Sequence, residues 1–207
     1  MIHLSLLTIF IPTFFFISLT PGMCMTLSLT MGMSIGLRRT FWMMWGELAG
    51  VAVVSVAAVA GVATVMITYP SLFLILKYGG GAYLFYLGVR LWQSDGRMAI
   101  NRSCFSDTRF SRKELISQGF ITAIANPKGW AFMISLFPPF IDNSRPILPQ
   151  VTILLAVILI IEFGCLILYA SGGKRLRTTL QKKGNVDLLN KIAGTLMIGV
   201  GIWLAVS

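Results

Sequence analysis

The residues able to do chemistry in this chain are few. Lys128 stands in "TAIANPKGWAF", residues 122–132, inside a run from Leu115 to Ile141 that holds no other charged residue. Glu47 lies roughly 12 Å of helix beyond Arg39, and Glu162 roughly 18 Å before Lys174, so both carboxylates fall inside apolar segments. A charge at the centre of a membrane costs at least about 2.5–3.5 kcal/mol on insertion scales, so each of these groups faces a wet cavity or a partner. One or both carboxylates would bind a ligand's amine or carry protons. A purely structural Lys–Glu bridge is the alternative for either glutamate. Cys165 and Tyr169, at i+3 and i+7 from Glu162, share its face and would add a hydroxyl. The sole histidine, His3, is near the terminus, and Cys24, Cys104 and Cys165 are far apart with no metal-ligand spacing. No disulfide framework, metal or other cofactor is therefore expected, and a His-based mechanism has no candidate.

The elements that must position these groups follow from hydropathy. The chain has 207 residues, 56% hydrophobic, with a mean hydropathy of +0.82, too apolar for a soluble domain of this size. The first residues, "MIHLSLLTIFIPTFFF", carry no basic leader and read as a retained span. Six apolar runs emerge, at about 4–36, 41–67, 71–92, 115–141, 150–171 and 188–206. The net charge of +10 does not gather in one nucleic-acid-binding domain; 14 of the 17 basic residues lie in or beside the first, third and fifth joints. The positive-inside rule places those joints in the cytoplasm and both termini outside.

Three spans starting outside and three starting inside make an inverted repeat, about 1–92 and 115–207, joined by a polar cytoplasmic loop at about 93–114. "LILKYGG" (74–80) and "LLNKIAG" (188–194) share Leu, Lys and Gly in register. The fold expected is all-α: one polytopic membrane domain, 1–207, of six transmembrane helices in a 3+3 inverted repeat, with the first and fourth broken.

The breaks are written in proline. The run 4–36 would be about 50 Å long as one helix, against a ~30 Å hydrocarbon core. At its midpoint is "LTPGM", with Thr20 before Pro21 and Gly22; at the midpoint of the fourth run is "IANPKG", with Asn126 before Pro127. Thr and Asn cap helix N-termini, and proline suits the first helical position. Each dipeptide thus reads as the end of one half-helix and the start of another at mid-membrane. A simple proline kink is the bland alternative for either site. Paired breaks at matching places mark transporter sites, where amide ends of half-helices face an anionic group.

Smaller features admit plain readings. Thr26, Thr30 and Ser34 line a pathway or bond back to their own helix. The glycines at 79–81, Gly88, Gly194, Gly199, Gly201 and the Gly46/Gly50 pair suit close helix packing and would permit a homodimer. Lys77 snorkels to the outer surface.

At these residues the chain resembles the LysE/RhtB family of amino-acid exporters. The likeness runs through "TPGM", "GLRRTFWMMWGELAG", "GGGAYLFYLGVRLWQS", "GFITAIANPKGWAFMISLFPPF", "IIEFGCLILYA" and "LLNKIAGTLMIGVGIWLA", one in each span. It implies a bacterial inner-membrane carrier, not an enzyme, that expels amino acids or close derivatives by proton antiport. The family's acidic positions fall on Glu47 and Glu162, its first-span "PG" on Pro21 and Gly22, and its "NPK" on Asn126, Pro127 and Lys128. Three places depart from it: Met23 replaces a second proline, Glu47 a shorter aspartate, and Pro139 stands where "PQF" has glutamine. Two rivals come from other classes. A membrane thiol-transfer protein would use Cys24 but lacks a cysteine in the fourth span, and an intramembrane enzyme would be reduced to a Ser135–Lys128 arrangement.

Overall fold

The structure is a computed structural model that describes the backbone of residues 4–68, 70–93, 110–136, 140–141, 145–181 and 183–206. The described residues form eight helices and no strand: α1 (Leu4–Leu19), α2 (Met23–Ile35), α3 (Leu37–Thr68), α4 (Pro70–Trp92), α5 (Arg112–Ile124), α6 (Pro127–Leu136), α7 (Ile147–Gln181) and α8 (Lys183–Val206). Two stretches, Leu37–Gly61 and Ile147–Gly172, are long and apolar enough to cross a membrane. The pair Leu7–Leu19 and Met23–Ile35 passes the same test together, bent by 56° at the break between α1 and α2. Large apolar side chains cover the outside, Trp45, Val56 and Ile160 among them, as suits a multi-pass protein bathed in lipid.

Both proline breaks are present, but they are built differently. At the second, Pro127 opens α6 and the Asn126 side chain accepts from the Lys128 amide at 3.1 Å, so Asn126 caps the new helix. At the first, Thr20 does not cap. Its hydroxyl donates back to the Phe16 carbonyl at 2.8 Å, Gly22 occupies the cap position with no side-chain bond, and α2 begins at Met23. Pro21 thus lies in the connector, and the expected Thr20/Pro21 start is displaced by two residues. The reason is local: once its hydroxyl serves the end of α1, Thr20 cannot also serve the start of α2.

Helix pairing is set by glycine. A Cβ on Gly46 would overlap the Ile116 backbone, one on Gly119 the Met43 carbonyl, and one on Gly50 would come within 2.6 Å of the Ala123 side chain, so α3 and α5 run parallel at close range. Gly32 packs on Ala170 in the same way, and the Ser28 hydroxyl donates to the Leu166 carbonyl at 2.8 Å, which makes α2 and α7 parallel. Gly88 faces Gly194 and Gly201 faces Gly81, an antiparallel pairing of α4 with α8. The glycines read as permitting a homodimer are thus largely consumed inside the chain, although Gly79 and Gly199 meet nothing within 4 Å. Between α2 and α3 the chain turns at Gly36, where φ is +79° and ψ 158°, a conformation nearly restricted to glycine. Thr30 and Ser34 bond back to Thr26 and Thr30, so the hydroxyl stripe serves its own helix. The Lys77 side chain, most of the 93–114 loop and Pro139 lie outside the described residues.

Two hydrophobic clusters divide the interior along the helix axes. One gathers Phe10, Phe14, Val54, Phe132, Phe140, Leu154 and Ile158. The other gathers Met25, Met31, Met43, Met44, Leu115, Leu166 and Tyr169. Glu47 lies between the two sets along α3, and Glu162 between them along α7.

Candidate functional site

Between the clusters lies a narrow cavity of about 50 Å³. At ~10–15 Å³ per water it has room for a few water molecules. Both breaks open onto it. Gly22, Glu47, Asn126, Lys128 and Glu162 all line it, while Pro21 and Pro127 do not. The prolines shape the connectors and the other five face the space. Ser18, Thr20 and Cys24 complete the polar part, and Phe14, Val51, Val54, Phe132 and Met133 close the side nearer the phenylalanine cluster.

Glu47 is fully buried, 0% exposed, and neither carboxylate oxygen has a hydrogen-bond partner among the described residues. The Cys24 thiol, a weak donor, and the Glu162 carboxyl lie within reach of it, without the geometry of a full hydrogen bond. Glu162, also buried, accepts a hydrogen bond from the Ser18 hydroxyl. Neither glutamate forms an ion pair with Lys128, which removes the structural Lys–Glu bridge as an account of this conformation. The Lys128 ammonium instead donates to the carbonyls of Ile17, at 2.8 Å, and Thr20, at 3.2 Å, and stands 5.8 Å from the centre of the Phe132 ring. These carbonyls lie at the end of α1, where the Thr20 amide, 3.3 Å from the Ile17 oxygen, is the last before Pro21 to donate. An ammonium has three donors, so one remains for a ligand.

Tyr169 does not bring its hydroxyl to the cavity as its spacing suggested. It donates to the Leu19 carbonyl at 2.7 Å, closing the end of α1 from the α7 side. Tyr169→Phe, which keeps the ring and removes the bond, is expected to destabilise the protein by about 1–3 kcal/mol, seen as a lower melting temperature in detergent. Trp130 does the same service for α5, donating to the Ile124 carbonyl at 2.8 Å. Asn126 links the two breaks, since its amide nitrogen approaches the Cys24 sulfur at 3.5 Å while its oxygen caps α6. At α2 the first amides have neither an intrahelical partner nor a side-chain cap. They form a positive dipole end beside Gly22, where a Cβ would sit 3.7 Å from the Lys128 ammonium.

Sequence reasoning missed Ser18 and Phe132. Ser18, a hydroxyl in the otherwise apolar "FFFISL", carried a signal of its own, and Phe132 stands at i+4 from Lys128, one turn along the same helix face.

The sequence profile of the LysE type translocators matches residues 15–207, which takes in every residue of this cavity except Phe14. The chain belongs to the LysE type translocator family. This translocator is 30% identical over 189 residues to the homoserine/homoserine lactone efflux protein of Salmonella typhimurium, covering 91% of this chain and 90% of the relative. It is 31% identical over 194 residues to the leucine efflux protein of an Enterobacter species, covering 92% and 90%. An uncharacterised membrane protein of Vibrio cholerae is 28% identical over 192 residues, covering 91% and 90%. No solved structure matches the translocator significantly. A helical membrane protein of a translocator family agrees with the resemblance noted in the six segments.

Proposed function

We propose that this chain exports α-amino acids or close derivatives across the bacterial inner membrane in exchange for protons, by alternating access around the two breaks. The observation that carries the reading is Glu47: a carboxylate wholly out of water, with only a thiol and a second carboxyl beside it and no hydrogen bond of good geometry, lining a cavity that also holds an ammonium and a free helix N-terminus. Burying a charge unpaired is costly, and that cost is offset when a ligand brings the missing partner. The substrate ammonium rests near Glu47 or Glu162. Its carboxylate rests on the first amides of α2 and the remaining donor of Lys128. Protonation of a glutamate from the outside weakens the hold on the amine and releases the substrate; deprotonation inside resets the site. The relatives whose names specify homoserine and leucine make those two compounds the first to test.

The 3+3 inverted repeat draws support from the pairing. At the level of whole spans, exchanging the two halves maps the contact of the first span with the fifth, α1 and α2 on α7, onto that of the fourth with the second, α5 and α6 on α3. Within those spans, however, α7 meets chiefly the second half-helix, α2, and α3 chiefly the first, α5. It maps α4 on α8 onto itself, antiparallel. The basic joints set the orientation, with both termini outside.

The test is efflux of labelled leucine or homoserine from proteoliposomes. Export is expected to saturate, to accelerate when the outside is made acid relative to the lumen, and to lose that acceleration when a protonophore is added. Lys128→Met is expected to lower the saturable rate by at least roughly tenfold, the worth of one charge-assisted hydrogen bond or more. Unchanged export in this variant would remove the lysine from the binding site.

A further inference from the structure

The carbonyl end of α1 has the makings of a cation site. The helix stops at Leu19, Pro21 offers no amide, and the chain bends away by 56°, so Ile17 and Thr20 stand at the cavity wall at the negative end of a helix dipole, while the Phe16 and Leu19 carbonyls are taken by Thr20 and Tyr169. In lipid such carbonyls must be satisfied. Unwound backbone carbonyls and half-helix ends of this kind hold loose sodium ions in carriers built from broken helices. Here the carbonyls of Ile17 and Thr20 receive the Lys128 ammonium, the Phe132 ring lies beside it, and Glu162 adds its charge from across the cavity.

We infer that the end of α1 is a monovalent-cation site permanently filled by the chain's own Lys128, so that this carrier runs without sodium. The inference deepens the exporter reading and rests on it for the transport arm of its test. The cation is tethered to α6, in the opposite half of the chain from α1. It supplies the charge that the carbonyl end requires, and it ties the two broken helices together whether or not an ion is present in the medium. A sodium gradient then has no purchase on the site, which leaves Glu47 and Glu162 as the groups that exchange charge with solution. Lys128→Ala removes the tethered cation and leaves a vacancy of the right chemistry for a free one: sodium, or a short alkylammonium such as ethylammonium. Lys128→Met fills the same space without charge and leaves no such vacancy.

The experiment uses the full-length chain in proteoliposomes loaded with labelled leucine, with sodium, potassium or choline as the chloride salt on both sides. Wild-type flux is expected to be equal in the three salts within about twofold, while Lys128→Ala loses roughly tenfold in choline and recovers at least a third of the wild-type rate with sodium or ethylammonium. The melting temperature of Lys128→Ala in detergent is expected to rise by about 2–4 °C on exchanging choline for ~100 mM ethylammonium or sodium, with wild type and Lys128→Met unmoved. A wild-type rate that falls when sodium is withdrawn overturns the inference, as does a folded Lys128→Ala indifferent to every cation. Recovery of Lys128→Ala as a monodisperse protein only in a small-cation salt supports it, and failure to recover it in any salt counts against it. If wild type moves neither leucine nor homoserine in any salt, the exporter reading fails separately, and the melting arm still decides the cation site.

Discussion

Glu47→Gln is expected to reduce saturable export by at least about a hundredfold while leaving the melting temperature the same or higher. The two halves of this expectation come from one observation. A carboxylate that is 0% exposed, with only the Cys24 thiol and the Glu162 carboxyl beside it and no hydrogen bond of good geometry, contributes little to folding that a neutral amide of the same shape would lose. Its ionised form is costly to bury, and its neighbour across the cavity is another acid, Glu162. Such an arrangement persists when a ligand or a proton supplies what the fold withholds. Efflux from proteoliposomes and melting in detergent measure the two parts separately. Retained export, or a variant that melts well below wild type, would return Glu47 to a structural role. Glu162 makes the natural contrast, because the Ser18 hydroxyl already serves one of its oxygens.

The second large effect concerns the α3–α5 contact that sets the position of Glu47. Gly119 packs against the Met43 carbonyl and the Glu47 amide, and an added Cβ there meets backbone rather than a side-chain tip that can swing away. Gly119→Val is therefore expected to cost at least about 3 kcal/mol and to displace the turn of α3 that carries the acid. Gly61→Ala, in the same helix α3 but with nothing within 4 Å of the new methyl, is expected to be neutral or to stabilise by about 0.5–1 kcal/mol. Melting temperatures of the two variants, measured side by side, test whether the parallel pair is as tight as described. A Gly119→Val protein that melts with wild type would mean the helices stand further apart.

Much of this molecule was legible in its sequence, for reasons that differ by feature. The breaks were readable because proline acts on the two or three residues around it, and a 33-residue apolar run is too long for one span of a bilayer. Asn126 followed the capping rule. Thr20 did not, because a threonine can bond backward as well as forward and the rule does not say which way a hydroxyl between two helices will turn. The glycines announced close packing, yet Gly46 did not announce Ile116, since nothing local to either residue records a contact seventy positions away. Lys128 is the most instructive case. Composition offered two carboxylates as partners because charge is visible in a sequence, whereas the carbonyls of Ile17 and Thr20 are not: every residue has one, and only the break exposes these.

The two clusters above and below the cavity differ in material, and that difference has a direction. Toward the termini predicted to lie outside, Phe10 stacks with Phe14 at 5.8 Å and meets Phe140 edge-on at 5.0 Å, rigid rings that must separate as a block. On the side proposed to face the cytoplasm, Met25, Met31, Met43 and Met44 present unbranched thioethers that can slide past one another without losing contact, four where the phenylalanine cluster buries two, Met133 and Met197. A door hinged on soft material yields first. On the proposed orientation, the softer packing faces the cell's own pool, so opening inward needs less repacking than opening outward, while the direction of net flux stays with the gradients.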